Sequence, residues 1–405
     1  MTEPIGGNTA PQPGGFAATA VVPPGLEQEA AAELCALGVE DVQPLRRAVA
    51  FRCGQAGFYR VHLQARLPFR FLRELARFPC RGRDDLYRGV QEAADWQRWL
   101  PPESRFRVDA SGRGPGLNHS HYSALEVKNA LVDWQRQHWG ERSSVDLDDP
   151  DLRLHLHLSS SERRGPEAVL SLEGSGGSLH RRGYRAALGL APLKENLAAG
   201  LIALTGWDGR CPLADPLCGS GTLLIEAACR VLGRAPGLEA GATPRPRSFS
   251  FQRWPDFEPT LWQQEVEAAR ALARDTLADG TPPAPIVGME QEPAVLEQAR
   301  QNAAAAGVAP WITLQQGDCR GFEPPPDPGV LVCNPPYGER IGEREELEAL
   351  YADLGEMVKQ RCGGWTLWLL SGQPALTGAL RMKASRRIPV SNGGIDCRWL
   401  RYDIR

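Results

Sequence analysis

The tetrapeptide Asn334-Pro335-Pro336-Tyr337 contains the residues whose types point most directly to chemistry. Consecutive prolines remove two backbone N–H donors and fix φ, so the turn is stiff and its carbonyl groups point outward. The amide oxygen of Asn334 and the carbonyl of Pro335 can therefore accept hydrogen bonds from an amine in a fixed geometry. Tyr337 adds an aromatic face on which a nucleobase can stack.

Such a turn suits reactions of an exocyclic base amine. The lone pair of this nitrogen is conjugated into the base ring, so the amine is a poor nucleophile until acceptors orient it and stabilise the positive charge that develops. Preorganised acceptors of this kind typically make a large contribution to catalysis. An Asn-Pro-Pro turn can also be purely structural. Its position after the predicted strand 330–333 favours a catalytic site formed by Asn334, Pro335 and Tyr337.

A second candidate site is the glycine-rich segment Asp215-Pro216-Leu217-Cys218-Gly219-Ser220-Gly221-Thr222, which follows a predicted strand and opens an apolar helix. Glycine permits positive φ and close backbone approach, and the free N–H groups at a helix start favour a carboxylate. A tight strand–helix turn without a ligand has the same features, so this turn alone does not identify a site.

Three polar residues at later strand ends strengthen this interpretation, because ligands of doubly wound sheets bind at the carboxyl ends of strands. Glu290 can accept hydrogen bonds from both hydroxyls of an adenosine ribose, and Asp318 can accept from an adenine amino group. A helix-capping or ordinary turn role is the alternative for these two acids. The predicted cofactor site comprises Asp215, Gly219, Ser220, Gly221, Thr222, Glu290, Asp318 and Asn334.

The elements that must position these residues alternate between strands and helices in the second half of the chain. Strands are predicted at 212–216, 286–289, 312–315, 330–333 and 365–370, and helices at 222–232, 294–306 and 345–360. This alternation predicts a doubly wound parallel sheet. Two final strands flank the turn Asn392-Gly393-Gly394, which is suited to a hairpin. An antiparallel pair at the end of a parallel sheet fits the methyltransferase variant of the Rossmann fold.

Composition limits the classes of protein that need consideration. The length of 405 residues predicts more than one domain, and the net charge of −3 argues against a surface that binds nucleic acid everywhere by charge. Ten scattered cysteines and the absence of a secretory signal lead us to expect reduced thiols in the cytoplasm. No apolar run approaches the roughly 20 residues that span a bilayer, so we expect no membrane integration.

Larger resemblances cover most of the chain. The turns at Asp215 and Asn334 resemble those of class I methyltransferases that act on exocyclic amines. Segments 106–111 and 116–120, with Lys128, resemble a THUMP RNA-binding domain. The chain also resembles the bacterial 23S rRNA guanine-N2 methyltransferases. The segments that carry this resemblance are His180-Arg181-Arg182-Gly183-Tyr184-Arg185 and residues 191–199, 215–228, 249–257, 334–340 and 392–397.

This resemblance implies a fold, a cofactor and a substrate. The implied fold is α/β, with a Rossmann-like class I methyltransferase sheet that has a C-terminal antiparallel hairpin, preceded by an α+β ferredoxin-like/THUMP RNA-binding region. It divides the chain into a disordered tail (1–15), a ferredoxin-like module (16–65), a THUMP domain (66–165) and a methyltransferase domain (166–405) with an insertion at 233–283.

The implied cofactor is S-adenosylmethionine, and the implied target is the exocyclic N2 of a guanine in 23S rRNA or a large-subunit assembly intermediate. Some relatives carry a second methyltransferase domain, and because this chain ends at Arg405 we expect that second activity to be absent. Some relatives have Asp where this chain has Glu290, and both side chains can hold a ribose. Nothing in the sequence specifies an oligomeric partner.

Several residues have more than one interpretation. Arg181, Arg182 and Arg185 fit either RNA contacts or a structural linker, whereas capping or core roles are favoured for His119 and His121. We assign no metal, since His155 and His157 alternate on a strand without a Cys or carboxylate pattern. For the aromatic stretch Phe249, Phe251 and Trp254, packing of the insertion against the sheet is favoured over a base pocket.

Four other functions stay open as alternatives. A tRNA guanine-N2 methyltransferase would share every motif, and an adenine-N6 DNA methylase is disfavoured by the RNA-binding features of the N-terminal half. A non-catalytic ribosome-assembly factor would not need the intact turn at Asn334. A nicotinamide dehydrogenase fits the glycine turn, but Asn-Pro-Pro-Tyr has no role in hydride transfer.

Overall fold

A computed structural model of the chain describes residues 15–161, 165–185, 193–239, 244–336 and 344–405. Its strands are β1 (Phe16–Val21), β2 (Glu40–Leu45), β3 (Ala48–Cys53), β4 (Arg70–Pro79), β5 (Arg105–Gly112), β6 (Ser144–Val145), β7 (Leu152–Ser161), β8 (Gly165–Glu173), β9 (Leu213–Asp215), β10 (Leu238–Glu239), β11 (Arg245–Pro246), β12 (Ile286–Glu290), β13 (Ile312–Gln316), β14 (Val330–Cys333), β15 (Thr366–Ser371), β16 (Arg386–Asn392) and β17 (Ile395–Asp403). Its helices are α1 (Glu27–Ala36), α2 (Gln55–Gln64), α3 (Arg83–Glu92), α4 (Trp96–Trp99), α5 (Ser120–Trp139), α6 (Glu195–Thr205), α7 (Thr222–Val231), α8 (Pro259–Ala271), α9 (Pro293–Ala305), α10 (Arg344–Arg361) and α11 (Pro374–Ala379).

The second half of the chain forms a seven-stranded sheet in the order β13-β12-β9-β14-β15-β17-β16. The first five strands of this order are parallel, and β17 pairs antiparallel with both β15 and β16. The structure therefore confirms the predicted Rossmann-like sheet with its C-terminal hairpin. Since the chain adds β12 and β13 on one side of β9 and β14 on the other, the strand order reverses between β9 and β14. A crevice for ligands is expected at that point.

The first half forms an eight-stranded sheet in the order β2-β3-β1-β4-β8-β7-β5-β6. The antiparallel pairing of β4 with β8 joins the ferredoxin-like strands to those of the THUMP region in one hydrogen-bonded sheet. β8 thus lies in the N-terminal sheet, whereas the sequence-based division assigned residues from 166 onward to the catalytic half. The physical reason is that both edges of β8 are paired, with β4 on one side and β7 on the other.

The insertion packs on the N-terminal half of the molecule. Phe249, Phe251 and Trp254 are at most 3% exposed, which confirms a core role for the aromatic stretch. Their packing partner is not the catalytic sheet that the sequence suggested: Phe251 stacks on Tyr59 of α2 at 4.9 Å between ring centroids, and Trp254 stacks on Phe58 at 5.8 Å. Large aromatic surfaces of this kind dominate the energetics of a core or an interface.

Salt bridges reinforce the same contact. Arg60 of α2 is 2.8 Å from Glu265 of α8, and Arg73 of β4 is 2.5 Å from Asp256 of the insertion. The insertion therefore contacts the N-terminal half through both apolar and ionic interactions.

Within the described residues, no two cysteines form a disulfide bond. In the described part of the chain, no helix is long and apolar enough to cross a membrane.

Replacement of Phe251 by alanine should destabilise the protein strongly, because the ring is fully buried among aromatic neighbours. Truncation of a buried Phe to Ala costs about 3–5 kcal/mol. Urea unfolding of the two proteins, followed by tryptophan fluorescence, measures the loss. Leu147→Ala is the control, since Leu147 is 63% exposed and its truncation should change stability little. Equal effects of the two substitutions would contradict an anchoring role for the aromatic stretch.

Candidate active site

The predicted site residues meet at one edge of the seven-stranded sheet. In the register of β9 and β12, Asp215 lies opposite Gly288, so Glu290 lies just beyond it at the end of the neighbouring strand. On the other side of β9, Leu331 of β14 lies opposite Ala214, and Asn334 follows the end of β14. Asp215, Glu290 and Asn334 therefore occupy the carboxyl ends of three adjacent strands, on both sides of the point where the strand order reverses.

The glycine turn between β9 and α7 requires its glycines. Gly219 and Gly221 have φ values of 53° and 80°, a left-handed conformation that side chains disfavour. Gly221 directly precedes α7, and a Cβ at this position would lie 3.4 Å from the Cβ of Ala299 on α9. The turn is thus both conformationally restricted and closely packed against α9.

Glu290 holds this turn in place. Its Oε2 accepts a hydrogen bond from the Gly219 amide at 3.1 Å, and its Oε1 accepts from the Glu292 amide at 2.9 Å. A backbone bond from the Cys218 amide to the Met289 carbonyl joins the same two segments at 2.9 Å. The carboxylate predicted to hold a ribose is therefore also a structural link between the glycine turn and the end of β12.

Asp215 is a buried carboxyl group at the base of the site. It is 2% exposed, and its Oδ1 accepts from the Leu217 amide at 3.0 Å. Burial, with a further contribution from the charge of Glu290, raises the pKa of Asp215 to about 8. A positively charged ligand beside this carboxyl group would favour its ionised form.

Asn334 presents an acceptor at the end of β14. Its Oδ1 is buried and has no hydrogen-bond partner among the described residues. Pro335 is buried beside it, and Tyr337 lies outside the described residues. Because an unpaired buried acceptor is unfavourable, the Asn334 oxygen is suited to receive an N–H group from a ligand.

Asp318 differs from the sequence-based expectation of an available acceptor. It forms a salt bridge with Arg320 at 2.7 Å, accepts from the Arg320 amide at 2.8 Å and caps a short 3-10 turn over Cys319–Gly321. The hydrogen bonds from Arg320 lower the pKa of Asp318. The turn role that the sequence left open is therefore present. A role in binding adenine stays a prediction.

The structure decides the roles of two arginines before the catalytic domain. Arg182 is 7% exposed, and its Nη1 donates to the Leu179 carbonyl at 2.8 Å. Arg185 donates to Glu195 at 2.7 Å and to the Thr222 hydroxyl at 3.2 Å. Both are therefore structural linker residues, whereas Arg181 is exposed. The sequence did not predict the link from Arg185 through Thr222 to the glycine turn. Arg185 and Glu195 both lie in the segments that carried the resemblance.

The histidines of the N-terminal half divide into buried and exposed groups. Burial lowers the pKa of His155 to about 3, so this side chain is neutral at physiological pH. His157 is hydrogen bonded to Ser111 at 3.0 Å, while His119 and His121 are exposed near the start of α5. Within the described ranges, no group of three or more His, Cys, Asp or Glu side chains is placed to hold a metal ion.

The residues at the sheet edge fit an adenosine-containing cofactor with a cationic part. A Cβ built at Gly219 meets no atom within 4 Å, so the turn leaves open space beside the N–H groups that precede α7. The buried Asp215 carboxyl group suits a cation, Glu290 suits hydroxyl groups, and the Asn334 acceptor suits an amine.

Three family models match the chain. A methyltransferase domain described as RMKL-like matches residues 182–401, the THUMP domain matches residues 80–162, and the RlmL ferredoxin-like domain matches residues 17–72. These matches confirm the predicted order of a ferredoxin-like region, a THUMP region and a class I methyltransferase domain.

Curated relatives match along almost the entire chain. A protein of Synechocystis named as an RNA methyltransferase is 43% identical over 97% of this chain and 100% of its own length. A protein of Pseudomonas putida named ribosomal RNA large subunit methyltransferase K/L is 40% identical over 95% of this chain and 52% of its own length. The chain therefore spans about half the length of the K/L relatives.

Solved structures agree with these matches. A methyltransferase in complex with SAH, the demethylated form of S-adenosylmethionine, superposes with a TM-score of 0.81 at 28% identity and covers 97% of this chain and 99% of its own. A protein of Listeria monocytogenes described as a predicted N6-adenine-specific DNA methylase gives a TM-score of 0.81 at 28% identity, over 96% and 97% of the two chains. The chain belongs to the RMKL-like methyltransferase family and is an S-adenosylmethionine-dependent RNA methyltransferase.

Proposed function

We propose that this chain transfers a methyl group to the exocyclic N2 amine of a guanine in 23S rRNA, as free RNA or within a large-subunit assembly intermediate. The observation that carries the proposal is the buried Oδ1 of Asn334 at the carboxyl end of β14, which has no hydrogen-bond partner among the described residues. The choice of 23S rRNA is supported by the K/L relatives, which are named as ribosomal RNA large subunit methyltransferases. A cytoplasmic location is part of the same proposal.

The cofactor residues proposed are Asp215, Gly219, Ser220, Gly221, Thr222, Glu290, Asp318 and Asn334. Bound S-adenosylmethionine supplies an electrophilic methyl group. The glycine turn offers backbone N–H groups at the start of α7. Each oxygen of Glu290 accepts one backbone N–H and retains acceptor capacity for a ribose hydroxyl. Asp215, buried below the turn, favours a positively charged group nearby.

The target base is held by the turn at Asn334. The Asn334 oxygen and the Pro335 carbonyl accept the two N–H groups of the amine, and they direct its lone pair away from the turn. Positive charge would develop on this nitrogen as it takes up the methyl group, whose bond to the cofactor sulfur breaks and leaves its electron pair on sulfur. Both acceptors would stabilise that charge before a proton leaves the nitrogen to solvent. Tyr337, which lies outside the described residues, is proposed to stack on the base.

Two related substrates are less well supported. The Listeria neighbour is described as acting on adenine in DNA, but the THUMP match at residues 80–162 favours RNA for this chain. A tRNA guanine would require the same amine-binding turn. Only identification of the methylated RNA therefore distinguishes a tRNA substrate from 23S rRNA.

Mapping of N2-methylguanine in ribosomal RNA, with and without the gene for this protein, tests the substrate. We expect one 23S position to lose its methyl group in the absence of the protein and to regain it when the purified protein is added with S-adenosylmethionine. Transfer RNA and adenines in DNA serve as controls and should be unchanged. A loss confined to either control would refute the 23S guanine assignment.

Substitution of Gly219 by alanine should weaken binding of S-adenosylhomocysteine, measured by calorimetry, because the new Cβ enters the open space proposed for the cofactor. Gly280→Ala is a matched control, since Gly280 also has a positive φ and open space around its Cβ position. Both substitutions carry a similar backbone cost, roughly 1–2 kcal/mol. We expect NAD to bind neither protein. An equal affinity of the two variants for S-adenosylhomocysteine would place the cofactor elsewhere.

Asn334→Ala should lower the single-turnover methylation rate, measured at saturating cofactor, by roughly 10²–10³, because a preorganised acceptor is lost. Asn334→Asp keeps an acceptor and should retain intermediate activity. Gln301→Ala removes an exposed amide on α9 and is the control. Tyr337→Phe should be mild and Tyr337→Ala severe for base capture. Asn334→Ala with the wild-type rate would show that this residue is not catalytic.

A further inference from the structure

We propose that a cavity between the N-terminal half and the catalytic domain binds a phosphate-bearing ligand of about mononucleotide size. The cavity has a volume of about 330 Å³. Its walls come from the loop after α2, the linker before the catalytic domain, α7, the insertion and the end of α9. The polar and charged lining residues are Arg66, Arg182, Tyr184, Glu226, Arg234, Glu239 and Arg270.

Positive charge exceeds negative charge in this lining. Four arginines face two carboxyl groups, those of Glu226 and Glu239. Outside the lining, the Glu33 carboxylate accepts from the Arg66 and Leu67 amides and offsets part of the charge of Arg66. Two further acidic partners are exposed: Asp275 lies 3.5 Å from Arg234, and Glu267 lies 2.7 Å from Arg270. Exposed ion pairs of this kind neutralise the arginine charges only weakly, because water and salt screen them. The cavity therefore favours an anion.

Within the described residues, two guanidinium groups of the lining have an unpaired Nε. Arg182 is 7% exposed, and its Nε lies 3.8 Å from the nearer oxygen of Glu226, too far for a hydrogen bond. Neither this Nε nor that of Arg234 has a hydrogen-bond partner in the described part of the chain, and both atoms are buried against protein. The guanidinium groups of Arg182 and Arg234 are therefore incompletely satisfied by hydrogen bonds, which favours an anion in the cavity beside them.

The chemistry of the walls specifies the class of anion. Guanidinium groups bind phosphate oxygens through paired N–H donors, and arginine is well suited to that role. The remaining wall is apolar and suits a base or sugar. Its residues are Ala235, Pro236, Leu238, Ala273, Ala305 and Ala306. A volume near the lower limit for small-molecule pockets admits one nucleotide unit, either free or at the end of an RNA chain.

This cavity is separate from the methyl-transfer site. Glu226 and Cys229 line it from α7, and they follow Thr222 by about 6 and 10 Å along the helix axis. Arg185 lies three residues after Arg182 and donates to Thr222 at the start of α7, which is the end of this helix nearer the glycine turn. The inference does not depend on which base is methylated, since none of its residues belongs to the turn at Asn334.

Calorimetry on the full chain tests the proposal, with saturating S-adenosylhomocysteine present to block the cofactor site. The probes are inorganic phosphate, guanosine 5′-monophosphate, guanosine, and a short RNA with and without a 5′ phosphate. We expect the phosphate-bearing form of each pair to bind more tightly. Binding of the free nucleotide would identify a small-molecule site, whereas binding of the phosphorylated RNA alone would identify an RNA-end site.

Variants locate the binding. Arg234→Gln and Arg270→Gln should each lower the affinity for the phosphorylated probe by about tenfold or more, because each removes a charged hydrogen-bond donor. Arg300→Gln is the matched control, since Arg300 is an exposed arginine of α9 that does not line the cavity. Thermal melting identifies a variant that fails to fold. If one of the two arginine variants does not fold, the affinity of the other one tests the proposal. The proposal is wrong if no phosphorylated probe binds at millimolar concentration, or if both variants bind like the control.

Discussion

The hydrogen bond from the Gly219 amide to the carboxylate of Glu290 is the interaction on which the site depends. It joins the turn after β9 to the end of β12 at 3.1 Å, so the two strands that carry the cofactor residues are fixed relative to each other. Glycine can adopt many backbone conformations, and a carboxylate that accepts its N–H favours the one observed in this turn. The same acid that is proposed to hold a ribose therefore shapes the surface that the rest of the cofactor would contact.

Near this hydrogen bond, two buried polar groups are in unfavourable environments that a bound ligand would stabilise. Asp215 is buried with a raised pKa, and the oxygen of Asn334 is buried without a partner in the described chain. Each arrangement is unfavourable for the protein alone. Both lie at the carboxyl ends of adjacent strands, where a cationic cofactor and an amine could compensate for them. Local instability of this kind is expected at functional sites, where the surrounding fold supplies the stability.

Contacts also join the insertion and the linker to their neighbours. The aromatic packing of Phe251 on Tyr59 and the ion pair of Arg60 with Glu265 attach the insertion to α2. Arg185 connects the linker to Thr222 at the start of α7. The insertion therefore contacts the N-terminal half, and the linker contacts the helix that follows the glycine turn.

For the catalytic half, the sequence by itself determined most of the strands, the main helices and the residues at strand ends, because hydrophobic periodicity and turn chemistry are local properties. The strand at 330–333 matched β14, and Glu290 and Asn334 were placed correctly at their strand ends. Tertiary structure alone decided the contacts between distant segments. The pairing of β8 with β4, the packing of Phe251 on α2, the capture of Asp318 by Arg320 and the inward direction of Arg182 depend on which surfaces meet after folding. Local sequence patterns do not predict these long-range contacts, because each side chain is compatible with several partners and the topology determines which of them is near.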